Sequence, residues 1–177
     1  MTGLEDLLRP GLIGVFCGLN PGLRAAATGF HFEGNGNRFW QTMHLAGFTD
    51  HRLSPSEGHR LLDYGYGLTT VVSRPTASAA ELSTHEYTGS AASLVARLEQ
   101  FRPAYIAFLG KAAYTSLSHQ RTIDWGPQAA RLGPSRVWVL PNPSGRNLGF
   151  SLLELVEAYR AFRHATEDTQ HADQPFR

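Results

Sequence analysis

Continuous apolar runs alternate with amphipathic stretches along most of this chain. Ile13-Gly14-Val15-Phe16-Cys17, Tyr105 to Leu109 and Val137-Trp138-Val139-Leu140 read as buried strands, and Leu68 to Val72 as a shorter one ended by Arg74-Pro75. Helical spacing fills the intervals. Phe39, Met43 and Ala46 share one face of a helix from about Arg38 to Ala46, with Gly47 as its stop. Ser54-Pro55-Ser56-Glu57 is a capping box with Pro at the first helical position, opening a helix towards Tyr64. Leu94, Val95, Leu98 and Phe101 mark the inner face of another, closed by Pro103, and a further helix starts at Lys111 after Gly110. Ser151-Leu152-Leu153-Glu154 is a second capping box, followed by the apolar stripe Leu152, Leu155, Val156, Tyr159 and Phe162.

The order β-α-α-β-α-β-α-β-α predicts an α/β fold: a single three-layer α/β/α domain, residues 1–165, with a mostly parallel central sheet covered on both faces. The polar segment 166–177 is expected to be a disordered tail. There is no internal repeat. Thr28 to Asn37 is Gly-rich, without regular periodicity, and reads as a loop.

Two of the predicted strands run directly into loops of unusual composition, Gly18-Leu19-Asn20-Pro21-Gly22 and Pro141-Asn142-Pro143-Ser144-Gly145. Each lies at the carboxyl end of a buried strand, where open α/β sheets place their ligands. Gly lets backbone approach a ligand, Pro fixes the turn, and Asn can both donate and accept hydrogen bonds. Two such loops on one sheet edge predict a site.

Composition changes this picture in three ways. The chain has 177 residues and 42% hydrophobic content, enough for one domain with a full core. It has no apolar run of the ~18 residues that a membrane helix needs, and no signal peptide. Cys17 is the only cysteine, which excludes an intrachain disulfide and any metal site built on several thiolates, and fits a cytoplasmic location. The net charge is +1, but residues 166–177 hold three acids and one base, so the remainder carries 15 bases against 12 acids, or +3. That charge is mild for a nucleic-acid binder and decides nothing alone. Lys111 is the only lysine, so Schiff-base chemistry would have to use it or the N-terminal amine.

Signatures of a nucleophile elbow, a phosphate loop and a dinucleotide fold are all absent, and the eight His show no metal-ligand spacing. Neither a cofactor nor a metal is expected. The run Phe16-Cys17-Gly18-Leu19-Asn20-Pro21-Gly22 resembles the first motif of the mismatch-specific uracil-DNA glycosylases, the branch that includes thymine-DNA glycosylase. Gly29-Phe30-His31-Phe32, Asn37-Arg38-Phe39-Trp40 and Val139-Leu140-Pro141-Asn142-Pro143-Ser144-Gly145 resemble further motifs of that family, in order and spacing, over roughly residues 6 to 163.

The resemblance implies a uracil-DNA glycosylase-like fold and a monofunctional glycosylase that extrudes uracil opposite guanine from double-stranded DNA and hydrolyses its glycosidic bond. It would act as a monomer, with no membrane partner. Phe32 would stack on the flipped base, backbone groups at Leu19 and Phe32 would bond its edge, and Asn20 would position the attacking water. Ala25 and His31 resemble the thymine enzyme, and a small Ala25 would leave room for a 5-methyl group. The second loop resembles a wedge that enters the duplex, with Ser144, Gly145, Arg146 and Asn147 as wedge and opposite-guanine contacts, and Asn142 as the brace of the loop. Arg146 stands where the bacterial mismatch-specific pattern has Leu, as in thymine-DNA glycosylase.

By residue type alone, Asn20 could close a turn, Phe32 could be core, His31 a plain loop histidine and Arg146 a solvated surface residue. Trp40, Trp125 and Trp138 are most simply packing residues. Asp63 lies near the predicted C-terminus of a helix, where the dipole disfavours negative charge. Either it pairs with an Arg, or it approaches the site and supplies the carboxylate that Asn20 lacks. A non-catalytic mismatch sensor would keep the same flip-and-wedge surface without effective water activation.

Overall fold

Residues 4–173 are described by a computed structural model. The apolar runs become strands of one sheet: β1 (Gly14–Gly18), β2 (Tyr66–Thr70), β3 (Tyr105–Leu109), β4 (Gly126–Leu132) and β5 (Ser135–Leu140). The spatial order is β2-β1-β3-β5-β4, with β2, β1, β3 and β5 parallel and β4 antiparallel to β5 at one edge. The helices are α1 (Leu23–Thr28), α2 (Phe39–Leu45), α3 (Thr84–Phe101), α4 (Lys111–Ser118) and α5 (Leu152–Ala172).

Alternation along each strand sorts the core into two layers. Phe16, Leu68, Ala107, Leu109 and Leu140 pack on one face against Phe39 and Met43 of α2 and Leu155, Tyr159 and Phe162 of α5. Cys17, Ile106, Phe108, Val137 and Val139 pack on the other against Leu94 and Leu98 of α3 and Ala113 and Tyr114 of α4. The expected α/β/α architecture is therefore present, and burial on both faces explains the uninterrupted apolar runs.

Several elements differ from the reading of the sequence. β2 begins at Tyr66, two residues early, although Val71 and Val72 still donate to the carbonyls of Gly18 and Leu19 at 2.9 Å each. Helix α1 lies in a stretch given no helix, ended by Gly29 in the left-handed region (φ 76°). The segment Pro55–Tyr64 has its capping box but winds as a 3-10 helix, and a second 3-10 turn covers Ala79–Glu81. Strand β4 was not expected at all. The polar tail is a correction too: α5 continues to Ala172, because Thr166 is fully buried with its hydroxyl 2.8 Å from that of Tyr66, and Thr169 meets the Tyr105 hydroxyl at 2.7 Å. Residues 1–3 of the expected domain and 174–177 of the expected tail lie outside the described residues.

Candidate active site

From β1 the chain crosses to β2 on one side, and from β2 it returns past β1 to β3 on the other. The carboxyl ends of β1 and β3 therefore flank a topological switch point, where loops part and leave a crevice. A cleft of about 420 Å³ opens there, lined by the loop after β1, the end of β3 at Leu109 and the loop after β5. Leu19, Asn20, Ala25, His31, Phe32, Asn142, Ser144 and Arg146 all line it.

Asn20 is fixed by its amide nitrogen, which donates to the Arg74 carbonyl at 2.9 Å and the Thr76 hydroxyl at 2.8 Å. A backbone carbonyl can only accept, so Nδ2 must occupy that side and Oδ1 the other. Among the described residues Oδ1 has no donor, and it is free to accept a hydrogen bond from water. The main-chain N–H groups of Leu19 and Phe32 likewise donate to no acceptor among the described residues.

Phe32 adopts a left-handed backbone conformation (φ 57°), one that costs a non-glycine residue about 1–3 kcal/mol. Its ring stacks on buried Phe39, centroids 3.9 Å apart and planes inclined by 19°, and it stands edge-on to Trp40. One face of the ring is thus covered by core, and the residue lines the cleft. His31 is buried, with Nε2 2.6 Å from the Glu5 carbonyl. That acceptor requires the Nε2–H tautomer. Burial holds the His31 pKa below its ordinary value, against raising contributions from the Glu5 carbonyl and the charge of Asp6. The ring is therefore neutral at pH 7.

The loop after β5 is held from beneath by Arg38. Its guanidinium donates to the carbonyls of Phe150 (2.7 Å), Asn147 (2.9 Å) and Ser144 (3.0 Å), and its backbone N–H donates to Pro143 at 3.0 Å. Within the loop, Asn142 Oδ1 accepts from Ser144 N–H and its carbonyl accepts from Asn147 Nδ2, both at 2.9 Å. Gly145 lies so close to Gly36 that a Cβ would stand 2.7 Å from the Gly36 carbonyl oxygen. Arg146 reaches across the cleft mouth, where Nη1 donates to the Ala77 carbonyl at 3.2 Å.

Asp63 does not join this constellation. It is exposed in the 3-10 segment that feeds the amino end of β2, the sheet edge opposite the cleft, and no residue of that segment lines the cavity. No ion pair involves it among the described residues either. Helix direction alone could not tell which sheet edge it faced.

Sequence reasoning missed three residues. Thr76 anchors Asn20 from 56 positions away. Arg38 was noticed only as part of a motif, without a role. Glu33 is the one acidic residue on the cleft wall among the described residues, and Arg24 stands 3.4 Å from its carboxylate. Lys111 is engaged elsewhere, its Nζ 4.6 Å from the centre of the Trp125 ring. Among the described residues no three of His, Cys, Asp and Glu cluster as metal ligands, and no helix is long and apolar enough to cross a membrane.

Two comparisons bear on this site. The family model described as the uracil DNA glycosylase superfamily matches residues 6–169. A solution NMR structure from Methanosarcina acetivorans, described as a "putative Uracil DNA glycosylase", shares the fold with a TM-score of 0.62 at 20% identity, covering 92% of this chain and 96% of that one.

Proposed function

This chain belongs to the uracil DNA glycosylase superfamily, and from that premise we propose that it is a monofunctional glycosylase excising uracil opposite guanine in double-stranded DNA. The observation that carries the reading is the orientation of Asn20. With Nδ2 tied to Arg74 and Thr76, Oδ1 can hold a water against the sugar of a nucleotide seated on Phe32. An amide is too weak a base to take a proton early, so bond cleavage runs ahead of attack. Positive charge then develops on the sugar, as in other glycoside hydrolysis, and negative charge on the departing base.

The N–H groups of Leu19 and Phe32, which find no acceptor among the described residues, are suited to that developing anion, because preorganised donors stabilise charge most when they need not reorient. Stacking on Phe32 and an edge read by backbone suit a flipped pyrimidine, whose extrusion is easiest from a poor pair. Ala25, small and buried on the cleft wall, leaves space for a 5-methyl substituent, so thymine opposite guanine falls within the proposed range. No lysine lines the cleft, which supports hydrolysis to an intact abasic site over strand cleavage through a Schiff base. Arg146 would leave Ala77 to contact the orphaned guanine, with Ser144, Gly145 and Asn147 shaping the loop that carries it.

The test is a labelled duplex panel under single-turnover conditions, with uracil opposite guanine, uracil opposite adenine and thymine opposite guanine. Excision of uracil opposite guanine, with strand breakage only after alkali, is the expected result. Tight binding to that duplex with no excision would make the protein a mismatch sensor.

A further inference from the structure

The segment that anchors Asn20 has a gap in its main-chain support. Val71 and Val72 donate their N–H groups to the carbonyls of Gly18 and Leu19, and Thr76 donates to Pro21 at 3.1 Å, so the segment after β2 is zipped to the loop after β1 at both ends. Between them, Ser73 and Arg74 donate to no main-chain acceptor among the described residues, and Pro75 has no N–H to give. The Arg74 carbonyl that takes the Asn20 amide therefore lies in a stretch that main-chain pairing does not hold.

The Arg74 side chain holds it instead. Its Nε donates to Glu86 Oε1 and its Nη2 to Glu86 Oε2 at 3.1 Å, while Nη2 also meets the Glu81 carbonyl at 2.9 Å. Glu86 stands in the first turn of α3 and is itself fixed: Oε2 accepts from Ser83 N–H at 2.7 Å, and Glu86 N–H donates to Ser83 Oγ at 3.3 Å. This capping box immobilises the carboxylate, and a two-pronged fork on a fixed carboxylate sets both the place and the direction of the guanidinium. The fork, and after it the cap, hold the Glu86 pKa down to about 2, so the carboxylate stays charged over the range of an enzyme assay. Pro75 confines Arg74 to extended backbone, so an anchored side chain leaves its carbonyl little freedom. The two side chains are 48% and 28% exposed, and an ion pair so open to water adds little to stability. Its effect is on where the backbone lies.

Resting on the glycosylase reading above, we infer that Arg74 and Glu86 are positioning residues for the reaction: their fork, seated on the cap of α3, places the Arg74 carbonyl that turns Asn20 Oδ1 towards the attacking water. Neither side chain lines the cleft, so both act through Asn20 and not on the nucleotide.

The experiment takes Arg74→Gln and Glu86→Gln in the full chain. Glutamine at 86 still closes the capping box but turns no carboxylate to the guanidinium. Each variant should lose about tenfold in single-turnover excision of uracil opposite guanine, with duplex affinity within about twofold of wild type and an unchanged melting temperature. Arg74→Lys keeps the charge without the fork and should not restore the rate. In an Asn20→Ala background neither change should slow excision further, because residues that act through one group are not additive. A second readout needs no cleavage. In protein with isotope-labelled asparagine, the Asn20 side-chain amide signal is identified by its loss in Asn20→Ala, and in both variants it should shift and exchange with water about tenfold faster. Wild-type rates in both variants would overturn the assignment, as would an equal further fall in the Asn20→Ala background or an unmoved amide signal. A melting temperature that falls along with the rate would make the pair structural and overturn it too. A wild-type protein that excises nothing would sink the glycosylase reading, and the amide signal would still decide whether Arg74 and Glu86 aim Asn20.

Discussion

At the scale of single residues, the site depends on orientation more than on reactivity. Asn20 has a single useful atom, Oδ1, and Thr76 and Arg74 decide where it points. Thr76→Val removes the shortest of the Nδ2 anchors, so single-turnover excision should fall about tenfold with duplex binding unchanged, and Thr76→Ser should recover it. His31 makes a separate prediction about acid stability. Its folded pKa lies below the ordinary 6.5, so the unfolded chain takes up the proton first. Stability from this group is therefore complete above pH 6.5 and is lost as the pH falls below it. Thermal melts at pH 7.5 and 5.5 should show His31→Gln losing less of its melting temperature on acidification than the wild type. An equal loss would mean that His31 is not the group responsible. Asn20 and Phe32 stand in local sequence motifs and Ala25 close after the first of them, and all three line the cleft, whereas Thr76 gave no local signal, because a partner 56 residues away leaves no local pattern.

At the scale of elements, the loop after β5 is built to keep its shape. Arg38 gathers three of its carbonyls, and Gly145 meets Gly36 backbone to backbone. Gly145→Ala must push the two loops apart, since neither neighbour is a flexible side chain. It should cost about 1–3 kcal/mol in denaturant melts and weaken mismatch binding. Wild-type stability in that variant would show that the two loops yield freely. Elements with strong local signals were legible: continuous apolar strands, the capping box at Ser151 and the stripe of α5. Strand β4 was hidden because Gln128 and Arg131 are polar, Ala129 and Ala130 are small with little strand preference, and it pairs only at the sheet edge through an irregular register. The 3-10 winding after Pro55 shares its capping signal with an α-helix, so sequence could place its start but not its pitch.

At the scale of the whole molecule, the strand order places the two motif loops at one crevice. Their meeting was legible because both follow strands of one parallel sheet, but the fate of Asp63 was not, because helix periodicity carries no information about which sheet edge is near. The extended α5 is a second whole-molecule effect. Its last turns read as polar, yet Thr166 and Thr169 bond to tyrosines from β2 and β3. Ending the chain after Ala165 should lower the melting temperature by several degrees, as loss of about 1–2 kcal/mol would in a domain of this size. An unchanged melt would return that segment to the status of a tail.

The most direct test of the central claim is the single-turnover rate of uracil excision from a guanine–uracil duplex by wild type and by Asn20→Ala. The account predicts excision by the wild type and a loss of at least about a hundredfold in the variant, with duplex affinity retained, since misplacing the water alone removes that much. Equal rates in the two proteins would contradict the role of Asn20, and binding without excision by the wild type would contradict the enzyme.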